Sequence, residues 1–402
     1  MPAPSGPPRR IGYDALRALR NPTGLGNYSR GVLRGLRAID PALDLHLFTT
    51  APARAAYAAL PGELGARVHL PPLVWQRRGF RSMWRTFRLG RAAKRVGLDL
   101  FHGLSHEIPR DLPRTQLPSV VTFLDLIYHR HPEYFPVIDR HSYEWRYHWS
   151  AQHATAIIAI SGQTRDDLVA CYNIPVERIR IIPPACDPRF ARPCPAEARS
   201  ALRARYDLPE QFLLSVGTLE PRKNQVLAIE AVARLGATAP MLVLVGRDGG
   251  SATELRRVAE SRGVASRVRI LSGVGADDLS VMVQAAALFL YPSFIEGFGM
   301  PIVEALSAGV PVITSAGGCF AEAGGAATRY VDPSDAPGLA EAIAEVLADP
   351  ALAERMRVAG RRHAEAFDGA TLARRLLAVY DAVMADRPLP ADLPPPAVES
   401  TG

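Results

Sequence analysis

No stretch of this 402-residue chain approaches the roughly 20 uninterrupted apolar residues of a membrane-spanning helix. The first residues, MPAPSGPPRR, hold no apolar h-region, so no signal peptide is expected. Four cysteines, Cys171, Cys186, Cys194 and Cys319, form no C-x-x-C pair and no metal-ligand spacing. That usage points to reduced thiols in a cytosolic protein. Lysine is scarce: of 47 basic residues only Lys94 and Lys223 are lysines. Chemistry through a Schiff-base lysine is therefore disfavoured. No D-x-D occurs, which argues against a metal-bridged diphosphate site.

What is present fits a two-domain globular protein. Hydrophobic residues make up 48% of the chain, and 402 residues are long for one core. The net charge of +7 favours anionic partners such as phosphorylated substrates, acidic lipids or nucleic acid. Thirteen short β-branched runs alternate with helix-length segments, from Ile11–Ala15 to Arg329–Val331. That alternation predicts parallel βαβ units and doubly wound sheets. Thirteen strands exceed one comfortable sheet, so two Rossmann-like domains are expected. The boundaries are set at 1–190 and 191–385, with a Pro-rich disordered tail over 386–402. Ligands of such sheets bind beyond the carboxyl ends of the strands, which places the expected site in an interdomain cleft.

The stretch YPSFIEGFGMPIVEALSAGVPVITS, Tyr291 to Ser315, reads as loop, helix and buried strand. Pro301 suits a first helical turn, and Gly309 with Pro311 ends the helix. Phe298, Gly299 and Met300 stand at the helix N-terminus, where free N–H groups and the dipole favour a phosphate. Glu296 and Glu304 flank this turn and suit hydroxyls, as on a ribose or hexose. Phosphate-binding backbone beside two hydroxyl-binding acids implies a nucleotide-sugar pocket. A surface glutamate and a helix-face glutamate paired with arginine are the plain alternative.

Other motifs also follow predicted strands. Gly24 and Gly26 in PTGLGNYSR let backbone approach a ligand, or equally make a structural turn. Gly217 opens GTLEPRKN, where Arg222 and Lys223 can clamp a diphosphate, Arg by paired N–H donors and Lys as a point charge. Gly246 begins GRDGG, a glycine loop or a plain strand-to-helix turn. His106, Asp125, His129 and His131 lie near strand ends of the first half, and none has H-E-x-x-H spacing.

With E-x7-E met by Glu296 and Glu304, and the basic pair by Arg222 and Lys223, the chain resembles retaining glycosyltransferases of family 4. The likeness runs from about Arg10 to Met384. TGLGNYSR, FHGLSHEIP, TLEPRKN, GGCFAEAGG and YVDP are similar to the bacterial O-antigen mannosyltransferase group. The resemblance implies two facing Rossmann-like domains, the GT-B fold, and a hexosyl transfer without metal. Glu304 would hold the donor ribose and Glu296 the transferred sugar. Phe298, Gly299 and Met300 would offer amides, and Gly24, Gly26, Gly217 and Gly246 would line the donor. Arg222 and Lys223 would neutralise the departing diphosphate. The donor would be GDP-mannose and the acceptor a glycan or lipid-linked sugar of cell-surface polysaccharide synthesis. Many members carry His-Asp after the fifth strand. Here Leu124 stands in the histidine's place before Asp125, leaving His106, Asp125 and His129 as acceptor-side candidates. A nucleotide-sugar epimerase and a basic nucleic-acid-binding protein are the rival readings, though no RNA-recognition motif occurs.

Trp75 to Gly97 carries eight basic residues and no acid. Phe80, Met83, Trp84 and Phe87 fall on one face of a helix. Such a helix either lies on an anionic membrane at the inner face of the plasma membrane or packs its apolar face on the sheet.

Overall fold

The thirteen expected strands all form, each within two residues of its predicted ends, among the described residues 8–77 and 79–392 of the computed structural model. They build two all-parallel sheets. In the first, β1 (Arg10–Asp14), β2 (Asp44–Phe48), β3 (Arg67–His69), β4 (Leu100–Gly103), β5 (Ser119–Phe123), β6 (Ala156–Ala159) and β7 (Ile179–Ile181) take the order β3-β2-β1-β4-β5-β6-β7. In the second, β8 (Phe212–Val216), β9 (Met241–Val245), β10 (Val268–Leu271), β11 (Leu288–Tyr291), β12 (Val312–Ser315) and β13 (Arg329–Val331) take the order β10-β9-β8-β11-β12-β13. Helices cover the sheets, so the central strands β5 and β11 are buried throughout, and β11 reads as a continuous apolar run. In each unit the strand order reverses once, at β1/β4 and at β8/β11. The crevice at such a reversal is where open α/β sheets bind ligands.

One unit comprises residues up to Ala185 together with a segment starting at Gly369, and the other runs Cys186–Asp368. The break therefore falls a few residues before the expected 190/191. More substantially, the last helix, Gly369–Met384, belongs to the first unit rather than the second. Its face Leu372, Leu376, Val379, Tyr380 and Val383 is buried there. Gly369 passes so close to Gly35 that a Cβ on Gly35 would sit 2.6 Å from the Gly369 carbonyl. Tyr380 bonds His102 Nδ1 at 2.6 Å in that core. A helical period shows that a face is buried but not which core buries it.

Residues 386–392, the first part of the expected disordered tail, are ordered. Arg180 Nη2 donates to the Leu389 carbonyl at 3.0 Å, and the Ile181 amide donates to Asp392 Oδ1 at 2.9 Å. Residues 386–392 thus lie along β7, and 393–402 fall outside the described residues.

Trp75–Gly97 is not one helix. A turn at Leu73–Trp75 leads to helices Phe80–Phe87 and Leu89–Val96, broken at Arg88. Trp84 packs into the core while Phe80, Met83 and Phe87 stay exposed, so packing accounts for only part of the apolar face. Among the described residues no helix is long and apolar enough to cross a membrane.

Candidate active site

The basic pair and the first glutamate meet at the β8/β11 reversal. Lys223 and Arg222 sit on a short turn after β8, and Glu296 lies five residues beyond the end of β11. Lys223 Nζ reaches Glu296 Oε1 at 2.5 Å and the Tyr291 hydroxyl at 2.7 Å. Tyr291 donates to the same carboxylate oxygen at 3.0 Å. Arg222 Nη1 takes Glu296 Oε2 at 2.9 Å, and its Nη2 pairs with Glu220 at 2.8 Å. The two loops are stitched together by Phe294 N to Arg222 O and by Asn224 Nδ2 to Pro292 O.

Glu296 and Lys223 are both buried. Burial opposes the charge on Glu296, yet Lys223 and Arg222 hold its carboxyl down to about 2. Burial likewise pulls the Lys223 ammonium below its ordinary value, against the pull of Glu296. Two cations and two carboxylates balance here. Lys223 spends two of its three N–H donors inside the network, leaving one for a ligand.

Glu304 is different. It lies on the helix Met300–Ser307, and no hydrogen bond or ion pair engages its carboxylate among the described residues. Burial raises its pKa to about 7, reinforced by Asp187 and partly relieved by Arg189. The two acids of the E-x7-E pair therefore stand in opposite states: one locked and ionised, one free and poised near neutrality.

The glycines divide by what surrounds them. Gly299 adopts φ +100 as the residue before the helix, a conformation that disfavours side chains. The Phe298 ring points inward and meets Phe367 at 5.5 Å, so it is its backbone that faces the turn, with half-buried Met300 beginning the helix. Gly246 has a packing reason, because a Cβ there would lie 1.8 Å from the Gly217 carbonyl. Gly217 itself lies over the Lys223 stem. Gly24 and Gly26 fall inside the first turn of the helix Gly24–Ile39. Gly24 is exposed in the first turn, whereas Gly26 is packed against the Asn21 carbonyl.

In the first unit the structure joins His106 to Asp125. His106 Nε2 accepts from the backbone N–H of Leu124 at 3.2 Å and of Asp125 at 3.3 Å. Its ring stacks on Tyr147 at 4.5 Å, and its backbone has φ +60, uncommon outside glycine. Accepting through Nε2 leaves the proton on Nδ1, which faces Ser105 Oγ at 3.4 Å. His129 is not part of this cluster; it faces Glu144 and the Tyr172 ring, and His131 pairs with Glu133.

Burial lowers the His106 pKa. A neutral folded histidine adds stability above its unfolded pKa of about 6.5 that is lost as pH falls below it. His106→Gln keeps an acceptor for the two amides and does not titrate. The expected result is a smaller fall in Tm between pH 8 and 5 than in wild type. An unchanged acid slope would rule out the amide-capping role.

Several participants carried no sequence signal. Tyr291 reads as an ordinary strand residue, yet it completes the Glu296 network. Arg85, in the basic stretch, is no surface cation: it pairs with Asp14 at 2.6 Å and with Glu107 at 2.8 Å. Arg146 closes that network on Glu107 at 3.1 Å. Asp14 ends β1 and Glu107 follows β4, so this second buried ion cluster sits at the β1/β4 reversal. Partners that lie 22 to 71 residues from a charge cannot be read from local spacing.

The family described as glycosyl transferases group 1 matches residues 200–363, and glycosyltransferase family 4 matches residues 22–190. The chain is 34% identical over 273 residues to the O-antigen chain mannosyltransferase B of Escherichia coli, covering 67% of this chain and 70% of that one. It is 31% identical over 222 residues to the GDP-mannose-dependent alpha-(1-6)-phosphatidylinositol monomannoside mannosyltransferase of Mycolicibacterium smegmatis, covering 52% and 58%. The crystal structure of Anabaena HepE in complex with UDP superposes with a TM-score of 0.72 at 18% identity, covering 93% of this chain and all of that one. That likeness shows the fold, GT-B.

Proposed function

The chain belongs to glycosyltransferase family 4, and from that premise we propose that it moves mannose from GDP-mannose to a glycan or lipid-linked acceptor, with retained configuration. The observation that carries this reading is the cation network that Arg222 and Lys223 build on Glu296 at the β8/β11 reversal, with Glu304 on the helix that follows and outside any ion pair among the described residues. Arg222 and Lys223 would stabilise the charge that develops on the leaving diphosphate. Glu304 would take the ribose hydroxyls. Glu296 would orient the cations and meet the transferred sugar. The role of a bridging metal would fall to the two cations, so transfer would need no divalent ion.

Mannose and a cell-surface glycan are favoured by the O-antigen mannosyltransferase relative, and the guanine base by the GDP-mannose-dependent one. A lipid-linked acceptor would place the enzyme at the cytoplasmic face of the membrane, in peripheral contact through residues 75–97.

A donor screen reading released nucleoside diphosphate tests this. GDP-mannose should be turned over above UDP- and ADP-sugars, equally with and without EDTA, and NMR of the product should show the donor's anomeric configuration. Activity lost in EDTA and restored only by Mg²⁺ or Mn²⁺ would overturn the metal-independent part. An inverted product would overturn the retaining part.

A further inference from the structure

Among the described residues of the second unit one aromatic side chain is exposed: Phe294, at 42%. An exposed apolar ring by itself needs no explanation. Its setting does. Phe294 lies on the loop that follows β11, two residues before Glu296. Its neighbours Ser293, Ile295 and Glu296 are all buried. The chain therefore turns this one ring outward from a segment that otherwise faces inward.

The root of the ring is fixed. The Phe294 N–H donates to the Arg222 carbonyl at 2.9 Å. Asn224 Nδ2 donates to the Pro292 carbonyl at 3.0 Å, and Ser315 Oγ to the Ser293 carbonyl at 2.6 Å. Arg222 Nη1 donates to the Ile295 carbonyl at 3.1 Å. Every residue from Pro292 to Glu296 is thus tied to the loop after β8 or to the end of β12. A ring on such a backbone has only two side-chain torsions left to order, so contact with a ligand costs little entropy.

One hydrogen-bonded residue away lies an open carboxylate edge. Glu220 pairs one oxygen with Arg222 Nη2 at 2.8 Å, and its side chain is 29% exposed. It caps no turn, and its other oxygen makes no hydrogen bond or ion pair among the described residues. A pyranose carries axial C–H bonds on one face and hydroxyls around its rim. A flat ring matches the face and a carboxylate matches the rim.

We propose that Phe294 is a stacking platform for a pyranose of the acceptor glycan, with Glu220 taking a hydroxyl at its edge. The inference rests on the glycosyl-transfer reading and names an acceptor subsite within it. That reading gives Glu296 to the transferred sugar and Arg222 with Lys223 to the diphosphate. The exposed ring on the same loop then meets the next sugar in line. A nucleobase also stacks, but ribose and diphosphate separate it from the transferred sugar, whereas Phe294 is two residues from Glu296.

Saturation-transfer NMR on the GDP-loaded protein tests the proposal, with the methyl α-pyranosides of mannose, glucose and galactose as probes. GDP occupies the nucleotide site, so the sugar reports on what lies beyond it. At least one pyranoside should receive saturation, strongest at the C–H protons of one ring face. Phe294→Trp should keep that pattern. Phe294→Leu, apolar but not flat, should lose it and weaken binding by about two- to tenfold, the range for one aromatic contact. An exposed position should leave Tm unchanged in both variants. No saturation of any probe by wild type, or the wild-type pattern in Phe294→Leu, would overturn the proposal. Weaker GDP-mannose binding by Phe294→Leu with pyranoside binding unchanged would give the ring to the donor and overturn the acceptor subsite. Failure of wild type to bind GDP would overturn the nucleotide-sugar reading instead, and the pyranoside pattern would then be read on the unloaded protein.

Discussion

Lys223→Met should cut turnover by about 10²- to 10³-fold, the range for removing one donor to a developing negative charge. The expectation follows from the free N–H that Lys223 keeps after bonding Glu296 and Tyr291. The variant should also lose stability, because it leaves a buried Glu296 carboxylate with Arg222 and Tyr291 alone. Breaking a buried ion pair from one side costs about 3–5 kcal/mol. Replacing Arg222 and Lys223 together by alanine would therefore threaten the fold, although adjacent cations on a solvated loop would not. Lys223→Met with Glu296→Gln removes both charges and should recover much of the stability without recovering turnover. Chemical denaturation and a nucleoside diphosphate release assay on the three proteins separate the effects. Turnover restored in the double variant would make the network structural only. The pH dependence has a definite sign. The depressed Glu296 pKa adds stability that is full above the ordinary carboxyl value of 4.5 and is lost as pH falls toward about 2.

The strands and the E-x7-E pair were legible because they are local. Strand periodicity, the Pro301 start and the Gly309–Pro311 stop all act within a few residues, and the helix Met300–Ser307 forms where they place it. Arg222 and Lys223 were legible as a strand-end pair, and Lys223 was conspicuous by rarity. What remained hidden depends on distant partners. Spacing could not show that Glu296 is neutralised from a loop more than 70 residues away while Glu304 makes no ion pair among the described residues. Nor could it show that His106 lies against the amides of Leu124 and Asp125, since only the neighbouring register of β4 and β5 brings those turns together. The last helix shows the same limit, with a visible stripe whose destination was set by the Gly35–Gly369 approach and by Tyr380.

Glu304 should make nucleotide binding depend on pH near neutrality. In the free protein its carboxyl titrates at about 7 because burial and Asp187 disfavour the charge. Between the ordinary value of 4.5 and about 7 the folded state holds a proton that the unfolded state has released. Stability contributed by this group therefore falls as pH rises through that window. An ionised carboxylate accepts from both hydroxyls of a ribose, whereas the protonated acid keeps one donor of its own. The proposed ribose contact thus favours the ionised form, and binding should expel the proton. Affinity for GDP should rise by up to about fivefold from pH 6 to pH 7, because the ionised fraction of a group titrating at about 7 grows from about a tenth to a half. Glu304→Gln is neutral at every pH and should bind more weakly by about 1–3 kcal/mol. GDP titrates in the same range, so the informative quantity is the difference between wild type and variant. Calorimetry in buffers of different ionisation enthalpy counts the protons released on binding. Wild type should release more than Glu304→Gln at pH 6.5, and the excess should vanish above pH 8. Equal release by the two proteins would remove Glu304 from the nucleotide site, and the half-buried carboxylate would then need another ligand.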